Sequence, residues 1–155
     1  MSRKDVAFSL LCVLCCTVSS FAFVFEDCGS EVGKLNEITI SSCEELSEER
    51  CSFPREIDIL STIKFTPNVD VSAVEMRAFG VLLDVPVPFP LKEPDVCKDP
   101  DSGINCPLTK DQEVVYKSKL FLEKKTPTLS VDAMLEFVNE KGEKIICIKF
   151  PAKIK

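Results

Sequence analysis

The stretch LSVDAMLEFVNEKGEKIICIKF, residues 129–150, decides the fold class. In its first arm Leu129, Val131, Ala133, Leu135 and Phe137 alternate with Ser130, Asp132, Met134 and Glu136. Side chains of an extended strand point to opposite faces in turn, so apolar residues on one parity mark a strand with one buried face. Asn139-Glu140-Lys141-Gly142 carries turn chemistry, and residues 145–150 are apolar except at Lys149. The reading is a β-hairpin of residues 129–138 and 144–152.

The same period recurs outward from this hairpin. Ile57, Ile59, Ile63 and Phe65 alternate with Asp58, Thr62 and Lys64. Val74, Met76, Ala78, Gly80 and Leu82 alternate with Glu75, Arg77 and Phe79, and Val114, Tyr116, Leu120 and Leu122 share a parity that Ser118 interrupts. A shorter strand is expected at residues 34–41. Thr66-Pro67-Asn68 and Lys125-Thr126-Pro127 separate the runs. No segment supports a helix beyond a single turn weighed for residues 44–50. Six or seven strands at this turn spacing predict an all-β, immunoglobulin-like sandwich of two antiparallel sheets. The antibody Cys…Trp…Cys hallmark is missing, since the chain has no Trp.

The chain is 155 residues long, a one-domain length, and 45% hydrophobic residues suffice for a packed core without a metal. A formal net charge of −6 argues against a nucleic-acid partner. Arg3 and Lys4 precede an apolar run at residues 6–18, too short to span a bilayer, and Ser20-Phe21-Ala22 offers a signal-peptidase site. Residues 1–22 are expected to be a secretory signal and residues 23–155 a single soluble domain, secreted and by default monomeric. Three cysteines leave with the signal. Cys28, Cys43, Cys51, Cys97, Cys106 and Cys147 remain, and six cysteines in a secreted chain predict three disulfides among 15 pairings. Short closures, Cys43 with Cys51 and Cys97 with Cys106, are the inexpensive guess, leaving Cys28 with Cys147. A zinc site is disfavoured: beyond residue 22 there is no C-x-x-C, and the chain has no His.

Catalytic patterns are missing. Without His there is no Ser/His or Cys/His pair and no histidine base. Residues 99–105 resemble a calcium loop only faintly, with the glycine one place early and Lys110 where the bidentate Glu belongs. The expectation is a non-enzyme with no cofactor and no metal. Lys117, Lys119, Lys124 and Lys125 could touch an anionic membrane surface, but ordinary solvated lysines on exposed strand faces are the better reading.

Val85-Pro86-Val87-Pro88-Phe89-Pro90 is unusual, with a proline at every second position. Proline cannot donate to a ladder, so this segment is read as a stiff, extended connection rather than a central strand. Phe89 is then either a plug for one end of the core or a side chain at a pocket mouth.

Several motifs together carry a resemblance: Phe25-Glu26-Asp27-Cys28-Gly29-Ser30, the segment from Gly80 through Pro90, Glu93-Pro94-Asp95, and Ser102-Gly103-Ile104-Asn105-Cys106-Pro107. From about Phe25 onward the chain resembles the MD-two-related lipid-recognition family, and within it the Niemann-Pick type C-two sterol-transfer proteins. The resemblance implies an apolar cavity between the sheets and the pairings Cys28–Cys147, Cys43–Cys51 and Cys97–Cys106. It implies that Val87, Pro88 and Phe89 border the mouth, and that Phe121, Leu122, Leu129, Val131, Ala133 and Leu135 belong to the wall. Ile40, Ile59, Ile63, Ala78, Leu82 and Pro127 complete the expected lipid-binding set.

The departures are Thr126 where a tyrosine is common, Leu135 and Ile148 where tryptophans are common, and a loop lengthened near residues 99–101. No sequon follows Asn36, Asn68, Asn105 or Asn139. The function implied is a secreted, non-covalent carrier of a sterol or other hydrophobic lipid, exchanging it with a membrane or a membrane sterol transporter, with the lysosomal lumen as a second location. Carriage of fatty acids or semiochemicals, and innate-immune recognition of bacterial lipid, are the alternatives. A disulfide-stapled interaction domain with a filled core is a third.

Overall fold

The computed structural model describes residues 25–43 and 50–155. The expected signal peptide and the residues of the weighed helical turn at 44–49 lie outside them. The strands are β1 (Glu26–Asp27), β2 (Gly33–Ile40), β3 (Cys51–Phe53), β4 (Asp58–Pro67), β5 (Val74–Leu82), β6 (Val85–Phe89), β7 (Val114–Phe121), β8 (Ser130–Asn139) and β9 (Lys144–Ile154). They form two sheets. The larger runs β1-β9-β8-β5-β6, with β3 also on β9, and the smaller runs β2-β4-β7. This is the immunoglobulin-like sandwich that the alternation predicts, with more strands than expected. Two of the additions, β1 and β3, are only two and three residues long. Pairing is antiparallel except that β3 runs parallel to β9.

The 129–150 stretch forms its hairpin, with Leu135 opposite Ile148 and Ala133 opposite Phe150. Its turn is built by Asn139, whose Oδ1 accepts the N–H groups of Lys141 and Glu143 at 3.0 and 2.9 Å, and by Gly142 at φ 81°. Left-handed backbone there favours a residue without Cβ. Gly33 is needed for a different reason. A Cβ on it would come within 2.7 Å of the Ile145 carbonyl oxygen, at the point where β2 crosses the larger sheet.

The proline-rich segment corrects one expectation. It is a strand, β6, paired with β5 through Phe89 opposite Ala78 and Val87 opposite Gly80. Successive N–H groups of a strand point to opposite sides, so prolines at every second position leave all the missing donors on one edge. The ladder to β5 keeps its donors, and the free edge resists pairing with another chain. A two-residue turn at Leu83 and Asp84, both left-handed at φ 49° and 63°, joins the two strands. Ile57 is a second correction. It shares the parity of Ile59 but precedes β4 and is 57% exposed.

The disulfides are Cys28–Cys147, Cys43–Cys51 and Cys97–Cys106. The first ties the start of the described chain to β9, across a sequence separation of 119. One end of the sandwich is filled. Phe137 packs against Phe65 at 5.4 Å and edge-on against Tyr116 at 4.9 Å between ring centres. Ile63, Val71, Val74 and Ile146 close around them.

Candidate functional site

Strand register explains why the other end of the sandwich is not filled. Along β5 and β8, moving away from Phe137, the inward residues become small: Ala78 beside Leu135, then Gly80 beside Ala133. Ala152 follows on β9. On the facing sheet Ser61 of β4 stands opposite Ser118 of β7, one inward pair beyond Ile63 and Tyr116. Bulk that would have met in the middle is absent, and a cavity of about 370 Å³ remains between the sheets. That falls in the size range of small-molecule sites.

The cavity gathers most of the expected residues. Ala78 and Leu82 of β5, Val87, Pro88 and Phe89 of β6, and Val131, Ala133 and Leu135 of β8 line the large-sheet side. Ile40, Ile59, Leu122, Pro127 and Leu129 also line it. Two expected residues do not. Ile63 is fully buried in the filled half, among side chains too large to leave space. Phe121 pairs with Asp58 on the outer face of the small sheet and is 53% exposed, since the strand alternation turns it away from Leu120 and Leu122.

Beyond the expected set the apolar wall includes Phe53, Met76, Gly80, Leu120, Phe150 and Ala152 among others, together with the polar residues Ser61, Ser118 and Thr126. The two serines had a signal in the sequence. Each is the single polar residue on an otherwise apolar strand parity.

The exposed lining residues locate the mouth. Leu82, Val87, Pro88, Phe89, Lys119 and Pro127 line the cavity and are solvent-exposed. They lie on β5 and β6 of one sheet, on β7 of the other, and on the connection from β7 to β8. The mouth is therefore the open flank between the edge strands β6 and β7. Arg55 pins the connecting loop. Its guanidinium donates to the backbone carbonyls of Lys124 and Thr126 at 2.9 and 3.1 Å and to that of Lys155 at 3.0 Å. Leu83, at the tip between β5 and β6, is 97% exposed beside this rim.

The cavity is nearly without charge. Lys119 is the one charged residue in its described lining, and its ammonium pairs at 2.8 Å with Asp58, a residue on the outer face of the small sheet. Lys125 pairs with Glu123 at 2.7 Å, so two of the four lysines suited to an anionic surface already hold carboxylates. Burial raises the Tyr116 phenol above its ordinary value, with Ser118 acting in the opposite direction. The Tyr116 hydroxyl donates to Met76 Sδ at 3.0 Å. Among the described residues no group of three or more His, Cys, Asp or Glu side chains could hold a metal. What such a wall offers a ligand is desolvation of apolar surface and shape.

The ML domain family model matches residues 22–154. The ecdysteroid-regulated 16 kDa protein of Manduca sexta is 36% identical over 137 residues, 88% of this chain and 92% of that one. The NPC intracellular cholesterol transporter 2 homolog a of Drosophila melanogaster is 36% identical over 133 residues, 86% of this chain and 88% of that one. The crystal structure of a Niemann-Pick type C2 protein from the Japanese carpenter ant superposes with a TM-score of 0.83 at 67% identity, covering 86% of this chain and all of that one. With the two-sheet fold, the three disulfides and these similarities together, the chain belongs to the ML domain family as an NPC2-like member.

Proposed function

We propose that the protein is a non-enzymatic lipid carrier that takes up a sterol or a similar apolar molecule between its sheets, shields it from water and releases it to an acceptor. The observation that carries this reading is the cavity: some 370 Å³, walled by apolar side chains and open along one flank. Burial at about 25 cal/mol per Å² binds a sterol-sized molecule without an ionic anchor. Relatives named as cholesterol transporters support the same reading. Exchange takes place at the β6–β7 flank, where exposed Leu82, Leu83 and Val85 suit brief contact with a membrane or with a membrane protein that accepts the lipid. Three disulfides suit an oxidising compartment, so residues 1–22 act as a secretory signal and the carrier works outside the cytosol.

Native mass spectrometry of the secreted protein, followed by lipid extraction, tests this. A stoichiometric sterol is expected. A fatty acid or small volatile would move the protein to a different cargo class. Nothing bound, together with no uptake of a fluorescent sterol, would overturn the carrier reading.

A further inference from the structure

Arg55 joins separate parts of the chain at one end of the cavity. Its Nε donates to the Lys155 carbonyl at 3.0 Å, and its Nη1 donates to the carbonyls of Lys124 and Thr126 at 2.9 and 3.1 Å. The backbone of the same turn adds to the junction. Arg55 N–H donates to the Lys155 carbonyl at 3.2 Å, and Glu56 N–H donates to the Leu122 carbonyl at 2.8 Å. The acceptors at Leu122, Lys124 and Thr126 belong to the connection from β7 to β8, which supplies Leu122, Thr126, Pro127 and Leu129 to the cavity lining.

This connection is held differently from the strands that border the mouth. β6 is laddered to β5 and stiffened by its prolines, and β7 is laddered to β4. Residues 123–128 lie in no ladder. Thr126 N–H closes a local turn onto the Glu123 carbonyl at 2.9 Å, and the ion pair of Glu123 with Lys125 is equally local. Among the described residues, the hydrogen bonds that hold 123–128 to the rest of the domain are the two from Arg55. A segment with so few outside bonds opens at lower free energy than the strands beside it. Cargo passing between the β6 rim and this lip therefore widens the mouth on the side of the lip.

We propose that Arg55 is a positioning residue for cargo exchange: it latches the 123–128 lip shut, and release of the Lys124 and Thr126 carbonyls is the opening step through which lipid enters and leaves. Arginine suits the task. Its rigid fork serves several carbonyls at once and is not deprotonated in a protein, whereas a lysine ammonium is a single point charge. This rests on the carrier reading and adds to it what sets the rate.

Stopped flow on the delipidated secreted protein, on Arg55→Ala and on Arg55→Lys follows two fluorescent probes, the sterol dehydroergosterol and the fatty acid cis-parinarate. Association is read on mixing with the probe. Dissociation is read on mixing with methyl-β-cyclodextrin as the acceptor, so that no membrane takes part. If every exchange event passes through an opened lip, both rates scale with the opened fraction and Kd does not change. Loss of two charge-assisted hydrogen bonds is expected to raise that fraction in Arg55→Ala, and with it both rates, about 10- to 100-fold, with Kd within about twofold of wild type. Arg55→Lys keeps a donor but not the fork, and its rates are expected to fall between those of wild type and alanine. Circular dichroism checks that each variant folds.

A dissociation rate that rises while association stays the same, so that affinity falls by the same factor, would make Arg55 a structural part of the wall and overturn the latch. Rates unchanged in both variants would overturn it as well. Either result leaves the carrier reading intact, since the wild type still binds its probe. Should Arg55→Ala not fold, Arg55→Lys decides alone, by whether both rates rise together. Binding of neither probe by the wild type would bring down both readings.

Discussion

Ala133→Leu should separate ligand binding from stability in opposite directions. Ala133 lines the cavity between Gly80 on β5 and Phe150 on β9, so a larger side chain there grows into empty space. Leucine adds three carbons, worth about 2 kcal/mol if they are buried at roughly 0.8 kcal/mol each. At about 2–4 °C per kcal/mol the unliganded protein should melt some 4–8 °C higher. The same carbons occupy room the cargo needs. A sterol of roughly 28 heavy atoms at about 0.3 kcal/mol each binds with about 8 kcal/mol, near micromolar. Overpacking on the usual scale removes about 1–3 kcal/mol, a loss of roughly 5- to 150-fold. Delipidated wild type and variant are compared by differential scanning calorimetry and by titration with a fluorescent sterol. A variant that melts lower and still binds sterol normally would refute the argument, because it would mean that the space beside Ala133 is not the binding space. Gly80→Ala is the milder companion. Its new methyl would meet Val131 at 3.7 Å, an ordinary contact, so it should fold and show the same signs at smaller size.

Phe89→Ala, at the mouth on a proline-stiffened strand and 38% exposed, should weaken lipid binding about 5- to 30-fold with little change in melting temperature. Unchanged affinity by fluorescent-sterol titration would remove Phe89 from the site. Replacing Cys28 and Cys147 by serine opens a closure of 119 residues, worth about 5 kcal/mol in the chain-entropy model; the same change at Cys97 and Cys106, with a separation of 9, should lower stability by about half as much. Urea denaturation gives the order, and a larger loss from the short loop would contradict it. Tyr116 is the chain's single tyrosine, so absorbance at 295 nm follows it alone. Its phenol is raised above 10.0 by burial, so the folded state holds the proton longer than the unfolded state does. Its contribution to stability is therefore fully present below about pH 10 and is lost as pH rises from there through the folded value. A native-state titration centred at or below 10 would show that the ring is not buried as described.

Much of this protein was legible in its one-dimensional pattern. Period-two alternation over residues 129–150, and again around residues 59–65 and 74–82, dictates strands and their inward faces, because a pleated chain has no other way to hide every second side chain. Six cysteines with two short spacings narrowed the bridges, and residues such as Ala78, Val131 and Leu135 were correctly placed on inward faces. Inward, however, means the same thing in sequence whether the residue meets another side chain or an empty space. Ile63 and Ile59 share a strand and a parity, yet one is packed core and the other is cavity wall. That difference was decided by the neighbours in the sheet and by what stands across the sandwich: Tyr116 beside and Phe137 across at one level, the serines beside and Gly80 and Ala133 across at the other. Strand β6 likewise became a strand only because β5 offered it a ladder that its prolines do not obstruct. Local periodicity assigns each residue a face; cavity and core are properties of two faces brought into register, and only the tertiary structure contains both.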